Sequence, residues 1–189
     1  LLGRQEREKM ENFRAFGGVQ SYPSRTKDTH DVDFSTGSVG LGVATTLFAS
    51  LVQDYAHTHG RMADGVRKGR MVALMGDAEL DEGNVFEALL EGWKQKVGNL
   101  WWIIDYNRQS LDGVINEFLF TKIQDFFGTM DWNVVTLKYG KKLEAAFEGP
   151  AGEPLMRWID ECPNDLYSAL TFKGGPAWRD HLKRGLRGT

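Results

Sequence analysis

The sequence has 189 residues, which is enough for a compact domain with a sizeable hydrophobic core. Hydrophobic residues make up 41% of the chain and charged residues 26%, a composition typical of folded globular proteins and unlike that of disordered ones. Lysine and arginine number 23 against 26 aspartates and glutamates, and the resulting formal charge of -3 argues against a general nucleic-acid-binding surface.

Cysteine content and hydropathy indicate the cellular compartment. The single cysteine, Cys162, cannot form an internal disulfide, and this fits a reducing environment. No apolar run approaches the roughly 20 residues that span a bilayer, so no membrane association is expected. A cytoplasmic protein is therefore predicted. The chain does not begin with Met, which suggests a fragment or a processed product.

The first half of the chain predicts helices and strands in alternation. A charged helix is predicted over 5–15, and a long loop rich in small and polar residues follows. Apolar residues at helical spacing predict further helices over 39–57, 84–97 and 115–127. Short continuous apolar runs predict buried strands over 71–75 and 100–104, and a third strand is predicted over 132–137.

This alternation predicts an α/β fold with a doubly wound, mostly parallel sheet and helices on both faces. After residue 139 the pattern predicts short helices over 141–147 and 155–159, with Pro150 and Pro154 as interruptions between them. No segment has the composition of a linker, so a single domain over 1–189 is expected.

Polar residues follow the first two predicted strands. Asp77 ends the first strand and Asn107 follows the second. Because ligands of open parallel sheets bind beyond the carboxyl ends of the strands, these two side chains are candidates for one site. A carboxylate, an amide oxygen and a backbone carbonyl, that of Gln109, would suit Mg²⁺. An aspartate or an asparagine after a strand is, by itself, more often part of a turn or a helix cap. Only the combination of Asp77 and Asn107 favours a metal site.

The combined motif resembles the thiamine-diphosphate motif of the transketolase superfamily, in which Gly-Asp-Gly and a downstream Asn hold the cofactor diphosphate through a divalent ion. Gly76-Asp77-Ala78 and Asn107 match it in spacing. The segments most similar to the homodimeric pyruvate dehydrogenase component that decarboxylates pyruvate are GGVQSYP at 17–23, GDAELDE at 76–82 and NRQSLDG at 107–113. The resemblance implies the thiamine-diphosphate-binding fold, with thiamine diphosphate and Mg as cofactors.

The resemblance also implies roles for individual residues. The implied metal ligands are Asp77, Asn107 and the carbonyl of Gln109. Gly76 and Ala78 would approach the diphosphate. Four residues would line the rest of the cofactor: Tyr22, Gly37, Val39 and Leu111. Two of these positions depart from the family, since Val39 replaces a Met and Ala78 replaces the second Gly of the motif, where its methyl group would lie close to phosphate.

The catalytic residues are unknown from this sequence. In the family, the activating Glu comes from a separate pyrimidine-binding domain or subunit, so this chain alone is expected to be inactive. His30 is a candidate for facing the substrate, although an exposed loop histidine is the more common case. The expected partners are the pyrimidine-binding domain or subunit, a second copy in a homo-oligomer, and a small 2-oxo acid or ketose substrate.

Two alternatives to a pyruvate dehydrogenase remain open at this point. The first is ketol transfer of the transketolase type. The second is a non-catalytic interaction domain that has kept the fold and lost the cofactor, and Ala78 favours it. A generic nucleotide-binding α/β domain is a more distant reading, because the glycine-rich segment 37–42 lacks the preceding strand and the Lys of a phosphate-binding loop.

Overall fold

The computed structural model describes residues 3, 5–110, 113–114 and 119–185. The chain forms two compact units, Leu1–Asp105 and Tyr106–Thr189, and each is described here by itself. A single domain over 1–189 stays a prediction.

The first unit contains three α-helices and two strands, in the predicted order. Their bounds are α1 Arg7–Glu11, α2 Leu41–Thr58, β1 Met71–Gly76, α3 Gly83–Lys94 and β2 Leu100–Asp105. A 3-10 helix, Asp77–Asp81, connects β1 to α3. Helix α1 is shorter than predicted and buries none of its residues, since its sequence offers few apolar side chains for packing.

Strands β1 and β2 form a parallel sheet in which each residue of β1 pairs with one of β2, from Met71 opposite Leu100 to Gly76 opposite Asp105. Helix α2 packs against both strands and against α3. The Trp102 indole N–H donates to the Thr46 hydroxyl at 3.3 Å and ties the sheet to α2. The largest fully buried side chains of the chain come from these elements: Leu47, Met75, Leu89, Val43, Val85 and Ser50.

The opposite face of this sheet is apolar and exposed. Side chains alternate across a strand, so the residues that point away from α2 share one face. These residues are Val72 and Leu74 on β1, and Trp101 and Ile103 on β2, and they are 48–74% exposed. The α/β class is confirmed, but the described residues show a two-stranded parallel sheet with this face exposed, in place of the larger sheet with helices on both faces.

The described residues of the second unit form several helices, an irregular segment over 131–140 and a short antiparallel pair, β3 Gln109–Ser110 and β4 Gly113–Val114. Its helices are α4 Leu119–Thr129, α5 Lys141–Phe147, α6 Gly152–Glu161, α7 Asn164–Lys173 and α8 Gly175–Gly185. Helix α5 has the predicted bounds. Residues 115–118 of the predicted helix lie outside the described residues. Pro154 falls in the first turn of α6, where proline is tolerated because the missing N–H has no partner there anyway.

The prediction of a third strand over 132–137 is wrong. Within the described residues this segment is irregular and pairs with no strand. Val135 is 79% and Leu137 92% exposed. Apolar side chains favour burial, but a strand also needs a neighbouring strand for its backbone hydrogen bonds.

None of the helices in the described part of the chain combines the length and the apolar character needed to cross a bilayer.

Candidate functional site

The first unit brings together two of the predicted cofactor-lining residues, Tyr22 and Gly37. The Thr36 N–H donates to the Pro23 carbonyl at 3.1 Å, which joins the two segments. A Cβ atom placed on Gly37 would lie 3.4 Å from Cγ of Tyr22, so the glycine backbone packs directly against the ring. The Tyr22 side chain is otherwise open, with 62% of the residue exposed. The exposed Tyr22 ring therefore lies beside the Gly37 backbone, which has no side chain to cover it.

Glu79 connects the start of α2 to the end of β1. Its carboxylate accepts the Gly40 N–H at 2.9 Å and the Gly76 N–H at 3.2 Å. Gly40 directly follows Val39, another predicted lining residue, and Gly76 precedes Asp77. One side chain therefore joins the 37–40 segment to the 76–78 segment.

In the sequence analysis, no role is assigned to Glu79. Its local contact could have been found, since a Glu that accepts an N–H three residues earlier is half of a capping box. The contact with Gly40 joins residues 39 positions apart, so it could not be predicted from local sequence patterns.

Gly40 makes a close approach that only glycine permits. Its φ is 77°, in the left-handed region, and it directly precedes α2. A Cβ atom here would lie 2.6 Å from Oδ1 of Asn84 and 2.9 Å from Cβ of Glu82. The start of α2 thus packs against the turn that begins α3, and the segment carrying Gly37 and Val39 is held beside it.

Asp77 is buried directly after β1, with 4% of the residue exposed. Its Oδ1 accepts the N–H of Ala78 at 3.1 Å, and it begins the 3-10 helix, whose N-terminal partial charge favours a carboxylate. A Cβ atom on Gly76 would meet nothing within 4 Å, so the backbone before Asp77 faces open space. A carboxylate is the kind of hard oxygen ligand that Mg²⁺ prefers, and the role of Asp77 as a metal ligand stays a prediction.

The remaining predicted ligands belong to the second unit. Asn107 is exposed and follows the end of β2 by two residues. Gln109 begins β3, where its backbone pairs with Val114. Leu111 lies outside the described residues. The structure of the second unit thus defines the backbone around Asn107 and Gln109, and their role as ligands stays a prediction.

His30 contacts the first helix. The ammonium group of Lys9 donates a hydrogen bond to Nε2 of His30 at 3.0 Å. A lysine ammonium has no acceptor, so this contact requires Nε2 to be the unprotonated ring nitrogen. The half-buried His30 is therefore positioned by α1, and its role towards a substrate stays a prediction.

Comparison with known proteins identifies the family. The family described as "Transketolase, thiamine diphosphate binding domain" matches residues 4–149, which include every predicted cofactor and metal position. The chain belongs to this family.

Curated relatives agree with this assignment. The chain is 29% identical over 187 residues to the pyruvate dehydrogenase E1 component of Cupriavidus necator, 28% to that of Pseudomonas aeruginosa and 26% to that of Escherichia coli K12. Each match covers 96% of this chain and 21% of the relative. The chain therefore spans about one fifth of the length of these relatives and is homologous to that part of a pyruvate dehydrogenase E1 component.

Proposed function

We propose that this chain binds the diphosphate end of thiamine diphosphate through Mg²⁺, with Asp77, Asn107 and the carbonyl of Gln109 as protein ligands. The observation that carries the proposal is the parallel register of β1 and β2, which sets Gly76 directly opposite Asp105. Both strands run the same way, so their carboxyl ends lie at one edge of the sheet, where ligands of such sheets bind.

Chain geometry supports Asn107 as a second ligand at that edge. Adjacent strands lie about 4.8 Å apart. Asn107 follows Asp105 by two residues, and two residues reach at most about 7 Å. The backbone of Asn107 therefore stays within that reach of Asp105, the last residue of β2, and its place in the same metal site is proposed from the spacing of the motif. One carboxylate with two neutral oxygens leaves positions on the ion for diphosphate oxygens and water.

The cofactor-lining role of Tyr22, Gly37, Val39 and Leu111 is part of the same proposal. The packing of Gly37 on the Tyr22 ring supports it, as does the Glu79 carboxylate that joins the segment after Gly37 to the segment before Asp77. In this arrangement Gly76 and Ala78 would present the backbone to the diphosphate. The exposed Tyr22 ring would provide apolar contact, and Val39, 37% exposed, would add to it.

The proposed activity of the whole protein is that of a 2-oxo acid dehydrogenase decarboxylating component, with pyruvate as the favoured substrate. When bound, thiamine diphosphate would supply a nucleophilic carbon for the carbonyl group of the substrate and a ring that takes up the electrons of the cleaved bond. The residues of this chain bind and orient the diphosphate. The activating Glu would come from a pyrimidine-binding domain or subunit, so this chain alone is expected to show no turnover. Ketol transfer on a ketose is the alternative activity.

The exposed sheet face supports a larger assembly. A contiguous apolar surface formed by Val72, Leu74, Trp101 and Ile103 is unusual on a protein surface that works without a partner. We propose that further strands and helices of the same protein complete a doubly wound sheet over this face. We also propose that the composite site requires the pyrimidine-binding domain or subunit and forms in a homo-oligomer.

Calorimetric titration of the full-length protein with thiamine diphosphate, with and without Mg²⁺, tests the proposal. Binding should require Mg²⁺. Asp77→Ala should weaken it by more than about 100-fold, since the loss of residues that merely support ligands costs 10–100-fold. Asp64→Ala, which removes an exposed loop carboxylate, is the control and should bind normally. Mg²⁺-independent binding, or normal binding by Asp77→Ala, would refute the proposed metal site.

The same titration separates the proposal from a domain that has lost its cofactor. The methyl group of Ala78 stands where the motif has a second glycine, and this substitution favours the non-catalytic alternative. Absence of binding in the wild type together with binding by Ala78→Gly would establish that alternative. Binding by the wild type would exclude it.

A further inference from the structure

Arg108 lies between Asn107 and Gln109, the two proposed ligands of the second unit, and it has an unusual backbone. Its φ is 64°, in the left-handed region, which a residue with a side chain adopts only when surrounding contacts hold it there. Nothing in the sequence-based reasoning assigned a role to this residue.

The Arg108 guanidinium contacts the chain where α6 ends and α7 begins. Nη1 donates to the carbonyl of Cys162 at 3.1 Å and faces Oδ1 of Asn164 at 3.4 Å. The guanidinium carbon lies 4.3 Å from the centre of the Tyr167 ring, a cation–π distance. The hydrogen bonds from Nη1 and the ring contact hold the guanidinium group at this position.

The residues that receive Arg108 are themselves held in place. Cys162 and Asn164 are each only 4% exposed, and Asn164 begins α7. The Tyr167 ring packs edge-on against Trp178 of α8 at 5.3 Å between centroids. Arg108 therefore anchors the 107–109 segment to the start of α7. Buried Cys162 and Asn164 lie on one side of this contact, and the Tyr167–Trp178 aromatic pair lies on the other.

We propose that Arg108 is a positioning residue for the metal site: by binding the start of α7 it fixes the 107–109 backbone, so that the Asn107 amide and the Gln109 carbonyl are held ready for a divalent cation carrying a diphosphate. This inference rests on the proposed function. It extends the determinants of metal affinity to residues 162–167, which no motif of the family resemblance includes.

The chemistry of the anchor distinguishes arginine from lysine. A planar guanidinium donates in fixed directions while it stacks on a ring, whereas a lysine ammonium keeps the charge without that geometry. Loss of the Arg108 contacts should therefore weaken binding of the divalent cation more than binding of the diphosphate. Restoring the positive charge alone, with lysine, should not restore the affinity for the cation.

The experiment uses the full-length protein and four variants: Arg108→Ala, Arg108→Lys, Tyr167→Leu and the control Arg157→Ala. Arg157 is exposed and pairs with Glu153 on the same helix, α6. Thiamine diphosphate binding is titrated over a range of Mg²⁺ concentrations, and amide hydrogen exchange over 106–110 is measured without ligand. Arg108→Ala and Arg108→Lys should each raise the Mg²⁺ concentration for half-saturation about 10-fold or more. Diphosphate binding at saturating Mg²⁺ and the behaviour of the control should stay unchanged.

Hydrogen exchange at 106–110 should become faster in both Arg108 variants, and Tyr167→Leu should give an intermediate effect because it keeps the two hydrogen bonds. An unchanged Mg²⁺ dependence in Arg108→Ala, or full rescue by Arg108→Lys, would overturn the inference and leave the proposed function intact. A wild type that binds no thiamine diphosphate with Mg²⁺ would overturn the proposed function and this inference with it. If Arg108→Ala fails to fold, Arg108→Lys and Tyr167→Leu decide by the same criteria.

Discussion

Glu79 shows how one side chain organises the candidate site. The N–H groups that it binds belong to Gly40, which is buried, and to Gly76, which is half-buried. A buried N–H without an acceptor costs free energy, so the carboxylate stabilises the fold as well as aligning the two segments.

Glu79→Ala should lower the free energy of unfolding by about 1–3 kcal/mol, because it leaves two N–H groups without their acceptor. Glu79→Gln should lower the free energy of unfolding by less, since the amide oxygen of glutamine can still accept one of the two N–H groups. The measurement is urea-induced unfolding of the full-length protein.

The matched control for Glu79 is Glu87→Ala. Glu87 is exposed on α3, where alanine suits the helix at least as well as glutamate, so little change is expected. Equal stability of Glu79→Ala and Glu87→Ala would show that the carboxylate does not hold the two segments.

At the level of elements, α2 is flanked by two glycines that have similar backbone angles and different surroundings. Gly40 precedes the helix with φ 77°, and Gly60 follows its C-cap with φ 62°. A Cβ atom on Gly40 would meet Asn84 and Glu82, whereas one on Gly60 would meet nothing within 4 Å. Alanine substitutions at Gly40 and Gly60 therefore separate the free-energy cost of a strained backbone from the cost of a steric clash.

Gly60→Ala should destabilise the protein by about 1–2 kcal/mol, the cost of a left-handed backbone for a residue with a Cβ. Gly40→Ala bears this cost together with the clash, so its loss in unfolding free energy should be clearly larger, and thiamine diphosphate binding should weaken with it. Thermal unfolding of both variants makes the comparison. Equal losses would mean that the start of α2 does not pack closely on the turn before α3.

A second element-level contact ties the irregular segment before α5 to helix α6. Lys138 pairs with Asp160 at 2.6 Å, and the hydroxyl of Tyr139 donates to the same carboxylate. Burial by itself would raise the pKa of Asp160, but hydrogen bonds from Lys138 and Tyr139 and the positive charge of Lys138 outweigh it and lower the pKa. Burial and the hydrogen bond to Asp160 raise the pKa of Tyr139.

A carboxyl whose pKa is lower in the folded state stabilises the protein above its unfolded pKa, near 3.8, and loses that contribution as the pH falls through the folded pKa. The difference in unfolding free energy between the wild type and Asp160→Asn should therefore be present at pH 6 and vanish well below the unfolded pKa. Chemical denaturation across this pH range measures it. Asp180→Asn, at an exposed position on α8, is the control, and a pH-independent difference for Asp160→Asn would contradict the expectation.

At the level of the whole molecule, the two-stranded sheet explains which predictions were correct. The runs over 71–75 and 100–104 formed strands because each supplies the other with a parallel partner and α2 covers one of their faces. The segment 132–137 also contains several apolar side chains, and it is irregular within the described residues, since strand formation requires a partner. One face of the sheet is exposed, and the chain matches about one fifth of the length of each relative.

The sequence by itself determined the α/β order of the first unit, the polar ends of its strands and the family, because helical and strand periodicity and short motifs depend on neighbouring residues. Only the tertiary structure revealed that Glu79 joins Gly40 to Gly76 and that Arg108 binds the start of α7. These contacts join residues far apart in the chain. Their partners are selected by how the elements pack, and local patterns carry no record of that packing.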